Sequence, residues 1–467
     1  MPDFSVILQT PVVRGIVQEG LLERAFHDAL FPKMLFRSEV AAVPWPAGIG
    51  DNQIFSAPGL MDVDCQPLVP GRDPDVGSYP IEQWEATLQK YGKAIDTHMP
   101  TSAAAIADLF MRNAQQLGLQ AGQTVNRIVR NRMYAASLSG STVCETTGAA
   151  TVVRVKRLNG FTRARRPDLA AGSAVRFNPV SSSNPLPVKV FDNGVETANT
   201  IVAFAADTPG DEAGPGTVTF GTITTNLAAR AYLIADDRTV ITRVGGGNSV
   251  DSLTAGTDIP TMSDIRNTVS VLRQQNAPEH PDGRFHCHHD PKSEALLAQD
   301  AEFQRMLTAL PDYFIYKKFT IGELLGCVFF RNNECPNKDT VLGGTTATFS
   351  QSDPFVGELF VGGVTTGSPV HRMLFTAQGA IMEYFQDYGQ LMSEAGITGK
   401  VGEARINNNG IDVLTERIQM IIRSPLNRLQ DLVSAAWQLT ADWPVRTDAA
   451  VGSPPRYKRF AVIEHCE

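Results

Sequence analysis

The stretch GRFHCHHDP, residues 283–291, sets three histidines, a cysteine and an aspartate within nine positions. Imidazole and thiolate are the usual protein ligands of zinc, so a metal is the first chemistry this density suggests. Read as a strand, however, side chains flip with period two. His286 and His288 then share one face, and Phe285, Cys287 and His289 share the other. A structural zinc takes four ligands and a catalytic one usually three, so a single strand completes neither site. His280 lies in the preceding loop, at a spacing that fits no zinc pattern. A plainer reading accounts for more of the residues: Asp290 is a good N-cap and Pro291 suits the first helical position. Leu296, Leu297, Phe303 and Leu307 follow as the buried stripe of a helix over 291–310. No metal and no cofactor is expected.

A second cluster is basic. Lys156, Arg157, Arg163, Arg165 and Arg166 flank an Asn159-Gly160 turn and predict a basic hairpin. Such a hairpin can meet phosphate or an acidic neighbour, or be a solvated strand face and nothing more. Around GITGKV the phosphate-loop pattern fails, because Glu394 stands where its first glycine belongs and Val401 where its Ser or Thr belongs. The chain contains no GxSxG and no HExxH, so no catalytic residue is assigned.

The elements that must carry these residues follow from composition and periodicity. At 467 residues, 43% hydrophobic and 19% charged, the chain reads as globular, with two or three structural units. A net charge of −8 denies it the overall basic footprint of a nucleic-acid clamp. Six cysteines without a CxxC pair predict reduced thiols rather than a disulfide framework or a zinc ribbon. The first twenty residues lack the pattern of a secretion signal, and no apolar run approaches the roughly 18 residues of a spanning helix, which predicts a cytosolic origin and no membrane.

From Pro11 to Phe31, Val13, Ile16, Val17, Phe26 and Leu30 form one apolar face of an amphipathic helix that needs a partner surface. Residues 44–80 are broken by Pro, Gly and Asp and predict an extended excursion. A long helix follows to about Ser139, carrying Leu117, Val125, Val129 and Met133, with Gly118 and Gly122 expected to weaken its middle. Residues 151–244 read as all β, with a second tight hairpin at Asn193-Gly194, and the run Gly245 to Gly247 closes the block. Thr261 and Asp264 have capping-box spacing for another helix. Residues 368–390 suggest a further helix, and alternation on both sides of Ser424-Pro425 suggests two paired strands, the first of which also fits a helix.

Taken in chain order, AGIGDNQIFSAPGLM, LQKYGKAIDTHM, FHCHHDP, FTIGELLGCVFFRNNECP, SPLNRLQDLVSAAWQLTADWP and RYKRFAVIEHC resemble the major capsid proteins of tailed bacteriophages with the Hong Kong 97-type fold, nearest a podovirus coat-like branch. The resemblance covers most of the chain outside 151–255. It implies an α+β fold: an N-terminal arm (1–45), an extended loop with flanking strands (46–100), a peripheral domain with a spine helix (101–150), an axial domain (256–400) and return strands of the peripheral domain (401–467). Residues 151–255 would be an inserted β-barrel or sandwich. The implied function is mechanical, not enzymatic. Copies of the chain would form the hexamers and pentamers of an icosahedral virion shell, assembled in the host cytoplasm around double-stranded DNA, with portal, scaffolding and decoration proteins as partners. Val13, Ile16, Val17, Phe26 and Leu30 would then be contacts between subunits. An encapsulin-type compartment is the near alternative, and a zinc hydrolase using His286 and His288 the distant one.

Overall fold

Thirty-two residues, Ile106–Ser137, form one unbroken helix, α1. Leu117, Ala121, Val125 and Val129 recur every four residues and are fully buried, which supplies the tertiary packing that a helix with two internal glycines needs. Gly118 and Gly122 therefore do not interrupt it, and Gly122 is itself buried. The computed structural model describes residues 35–46, 50–58, 81–98, 106–165, 174–309, 322–337, 358–363, 367–386, 418–423, 432–447 and 456–467, apart from single positions within them, together with 403–404 and isolated positions of 65–73. The amphipathic segment with Val13, Ile16, Val17, Phe26 and Leu30 lies outside the described residues.

The chain divides into two compact units. The first comprises 1–54, 85–130 and 381–444. Its six-stranded sheet is built around Leu432–Asp442, which pairs antiparallel along its length with Gln89–His98 and with Gln419–Arg423. The two strands expected around Ser424-Pro425 are thus present, Gln419 opposite Gln438 and Arg423 opposite Ser434. Ala41–Pro44 lies parallel to Met382–Phe385 at one edge. Trp437 donates its indole N–H to Gln120 of α1 at 2.6 Å, joining helix to sheet.

The second unit comprises 55–84, 131–380 and 445–467. Residues 141–235 fold into a sheet of six strands in the order Ser141–Val143, Tyr232–Ala235, Leu186–Asp192, Val195–Ala206, Gly216–Leu227 and Gly148–Val155. Its two edges meet, because Cys144 bridges Val155, Glu145 donates its backbone N–H to Arg154 and Lys156 donates to Val143. The sheet is therefore a closed barrel. Its interior is filled by Val153, Val155, Val188, Val190, Val218, Phe220 and Leu233, which alternate with outward residues along their strands. Asp192 faces Val195 across the two-residue turn expected at 193–194, with Gly194 at φ 80°. The barrel begins ahead of residue 151, and the strand Val240–Arg243, although within 151–255, pairs instead with Phe460–Cys466.

That second sheet runs Val240–Arg243, Phe460–Cys466, Val370–Thr376, Phe285–His289, Cys327–Arg331, Glu323–Leu324. Every residue of Val370–Thr376 and of Phe460–Cys466 is buried. Over 368–390, where the sequence suggests a helix, the described residues form two strands instead, Val370–Thr376 and Met382–Phe385, with His371 and Arg372 pointing into polar clusters and not into water. α2 (Met262–Gln274) opens with the expected capping box of Thr261 and Asp264. The helix expected over 291–310 is two helices, α3 (Pro291–Leu297) and α4 (Ala301–Ala309), separated where Asp300 accepts the backbone N–H groups of both Phe303 and Met262. No helix among the described residues is long and apolar enough to cross a membrane.

Candidate functional site

The histidine-rich stretch is the strand Phe285–His289, parallel to Cys327–Arg331 and antiparallel to Val370–Thr376. As the alternation requires, Phe285 and Cys287 join the apolar core. His286 and His288 share the other face, and both lie against one aromatic ring, Phe330, at centroid distances of 5.0 and 5.4 Å. His286 pairs with Asp282 at 3.1 Å and stacks on His280 at 3.8 Å, the rings parallel within 1°.

Beyond the strand, Asp290 caps α3 as the sequence indicates, its Oδ1 accepting the Ser293 N–H at 2.9 Å and the Ser293 hydroxyl as well. Its other oxygen lies 2.6 Å from Nδ1 of His371. His371 faces His465 across the adjacent antiparallel strand, rings 5.5 Å apart, and Nε2 of His465 is 2.8 Å from the Ser293 hydroxyl. Serine, histidine and aspartate here have the composition of a nucleophilic triad without its wiring, since the carboxylate holds the serine and the first histidine while a second histidine touches the hydroxyl. Asp290, Ser293, His371 and His465 are all buried, so the hydroxyl is closed to solvent among the described residues.

Electrostatics agree with a structural role. Burial drives the His465 imidazole down to about 3, with His371 adding to the effect, and drives His289 down to about 4, so both are neutral at pH 7. Burial would raise the Asp290 carboxyl, but the hydrogen bond and charge of His371 and the bonds from Ser293 outweigh it and hold it below its ordinary range. What the cluster does is fasten the start of α3 to the strands bearing His371 and His465.

The basic residues do not form one hairpin. Lys156 and Arg157 follow the barrel strand Gly148–Val155, whereas Arg163 and Arg165 lie on Arg163–Arg165, which pairs with Phe177–Pro179 in a separate small sheet. The turn between them is buried by Leu158 and Phe161, and Asn159 donates its side-chain N–H to the carbonyl of Ala135 in the last turn of α1. Lys156 pairs with Glu145, and Arg163 lies 3.3 Å from Glu212. Arg165 is half-buried, and Arg166 lies outside the described residues. Arg157 is no surface charge, being sealed in the interior 2.7 Å from Glu358.

Glu358 opens onto a cluster that the sequence did not reveal. The guanidinium of Arg372 donates to Glu464 at 2.9 Å and to the Glu358 carbonyl at 2.8 Å. Arg243 lies 2.9 Å from Glu464, stacks over the Tyr232 ring and donates to the Tyr232 hydroxyl, which is 2.6 Å from Ser141. Burial would raise the Glu464 carboxyl, yet Arg243, Arg372 and Arg157 hold it below its usual value. Arg157 and Glu358 are 201 positions apart and Arg243 and Glu464 further still, so no local spacing signals them.

Comparison with known proteins adds likenesses of fold alone. No family model matches the chain, and no curated protein matches it. Among solved structures, the capsid asymmetric unit of cyanophage Pam1 is similar at 9% identity and a TM-score of 0.47, over 89% of this chain and 86% of that one. The head structure of Helicobacter pylori bacteriophage KHP40 is similar at 9% identity and a TM-score of 0.47, over 93% and 92%. The capsid of cyanophage P-SCSP1u is similar at 10% identity and a TM-score of 0.45, over 92% and 87%. What this chain is similar to, across about nine-tenths of its length, is a set of phage capsid structures.

Proposed function

We propose that the chain is the major capsid protein of a tailed bacteriophage, a Hong Kong 97-type subunit that forms hexamers and pentamers of an icosahedral shell around double-stranded DNA. The observation that carries the reading is the order of the elements. Strand 89–98, a 32-residue helix, a barrel formed by one contiguous segment, a mixed sheet with short helices and strand 432–442 beside 89–98 follow one another in an order that supports the reading, although Phe460–Cys466, which the resemblance would put with the peripheral return strands, pairs in the second unit's sheet. Within this reading the barrel of 141–235 is an insertion, the N-terminal arm docks on a neighbouring subunit through Val13, Ile16, Val17, Phe26 and Leu30, and portal, scaffolding and decoration proteins are partners. Assembly takes place in the host cytoplasm and the product is the virion shell. Contact free energy between copies takes the place of catalysis, and the buried histidine cluster braces the subunit.

The test is to purify the full chain and follow it by sedimentation and electron microscopy over a range of concentration and crowding agent. Capsomers or closed shells are expected. A monomer at every concentration, with a native circular dichroism spectrum, would sink the reading.

A further inference from the structure

The cluster around Glu358 is out of balance. Three guanidiniums, Arg157, Arg243 and Arg372, meet two carboxylates, Glu358 and Glu464, and all five side chains are at most 3% exposed. Tyr232 adds no charge, since burial raises its hydroxyl above the ordinary value even though Arg243 and Arg157 pull it down. Arginine does not shed its proton in proteins, so among the described residues the sealed cluster holds one positive charge in excess. Arg238 sharpens the imbalance, its guanidinium lowered first by burial and then by Arg243.

The hydrogen bonds are equally incomplete. Nε of Arg157 and Nη1 of Arg372 are buried without an acceptor among the described residues, although both guanidiniums bind the same Glu358 residue through their Nη2 atoms. Glu358 Oε1 is also unpartnered. Water would satisfy these atoms but leaves the charge, and an uncompensated buried charge is strongly destabilising.

We propose that this cluster is an anion site, holding one small monovalent inorganic ion of chloride size on the free N–H groups of Arg157 and Arg372, where the barrel meets the sheet strands 240–243, 370–376 and 460–466. The ion has to be small because each of these atoms is closed to solvent. It enters as the chain folds and is kept thereafter.

The experiment counts it. Full-length protein produced in chloride is gel-filtered into gluconate at matched ionic strength and then denatured, and the released chloride is measured by ion chromatography. About one chloride per chain is expected, together with a rise in melting temperature of about 3 °C or more in chloride over gluconate for protein refolded in each salt. Arg157→Met makes the cluster neutral and is expected to release none. Glu358→Gln raises the excess and is expected to retain the ion, so the idea stays testable if the first variant fails to fold. Wild type that releases no chloride, or Glu358→Gln that releases none, overturns the proposal. So does an equal amount from wild type and folded Arg157→Met, which would mark surface ions only.

Discussion

Arg37 and Glu383 form a doubly hydrogen-bonded ion pair with neither side chain exposed, Nε to Oε2 at 2.8 Å and Nη2 to Oε1 at 2.6 Å. Trp443 donates its indole N–H to the same carboxylate at 3.1 Å. The pair ties the chain just before strand 41–44 to strand 382–385, its parallel neighbour. Breaking such a pair from one side strands a buried charge, at about 3–5 kcal/mol. Arg37→Met is expected to lose that much in urea denaturation of dissociated subunits. Arg37→Met with Glu383→Gln, which keeps an acceptor for Trp443, is expected to recover most of it. A single-variant loss below about 1 kcal/mol would remove the pair from any account of stability.

The same geometry fixes where an arm can be cut. Phe36 is as fully buried as Arg37, and its backbone N–H donates to Asn126 of α1 at 2.8 Å. A truncation before Val40 removes part of its own unit's core, whereas removal of residues 1–34 keeps Phe36 and Arg37 in place. Deleting 1–34 is expected to leave the remainder folded, with a cooperative melt followed by circular dichroism, and to weaken shell closure in sedimentation. Shells of equal yield and salt resistance would show that the segment is dispensable.

Acid should loosen the second unit. His465 and His289, at about 3 and about 4 in the folded chain, bind protons near 6.5 once unfolded. The unfolded state therefore holds more protons below pH 6.5, and stability falls as pH drops from there toward 4. At pH 5 the loss is about 2 kcal/mol for each histidine. His465→Gln should flatten half of that slope in melts between pH 7.5 and 5, and an unchanged slope would exclude His465 as a source.

Gly160 sits at φ 82° in the turn once read as the tip of a hairpin, and a β-carbon there would lie 2.2 Å from the backbone nitrogen of Gly140. Backbone cannot yield as a side-chain tip can, so Gly160→Ala is expected to cost about 3 kcal/mol or more, read as a lowered denaturant midpoint. Gly194, at a similar φ of 80°, has nothing within 4 Å of its missing β-carbon. Gly194→Ala should therefore cost only the conformational strain, about 1 kcal/mol.

A fragment of residues 151–250, bounded by composition alone, lacks strand 141–143 and carries strand 240–243 away from its partner at 461–464. It is expected to show no cooperative melt, while 139–238 is expected to fold as a monomer. Equal melts for the two fragments would show that strand 141–143 adds nothing to the barrel.

Features governed by neighbours in sequence were legible: the faces of 285–289, the Asp290 cap, the Thr261 capping box and the strand pair before Asp442. Each depends on a side chain three or fewer positions away, or on a period of two. The polar clusters were not, because Asp290 meets His371 across 81 positions and Arg157 meets Glu358 across 201. Charge alone suggested solvent for Arg157, and only the fold decides that its partner is indoors. His371 and Arg372 find their partners at similar range, inside a buried strand where the sequence suggests a helix.

The barrel's first and last strands are hydrogen-bonded to each other, Ser141 opposite Ile234 and Val143 opposite Tyr232. Chain enters and leaves it side by side, so a recombination event that exchanged this segment for an unrelated one would find both ends already in place. Glu358 limits that freedom. An incoming segment without a counterpart of Arg157 would leave the carboxylate short of its closest guanidinium, and lineages that exchange the barrel are expected to change position 358 in the same step.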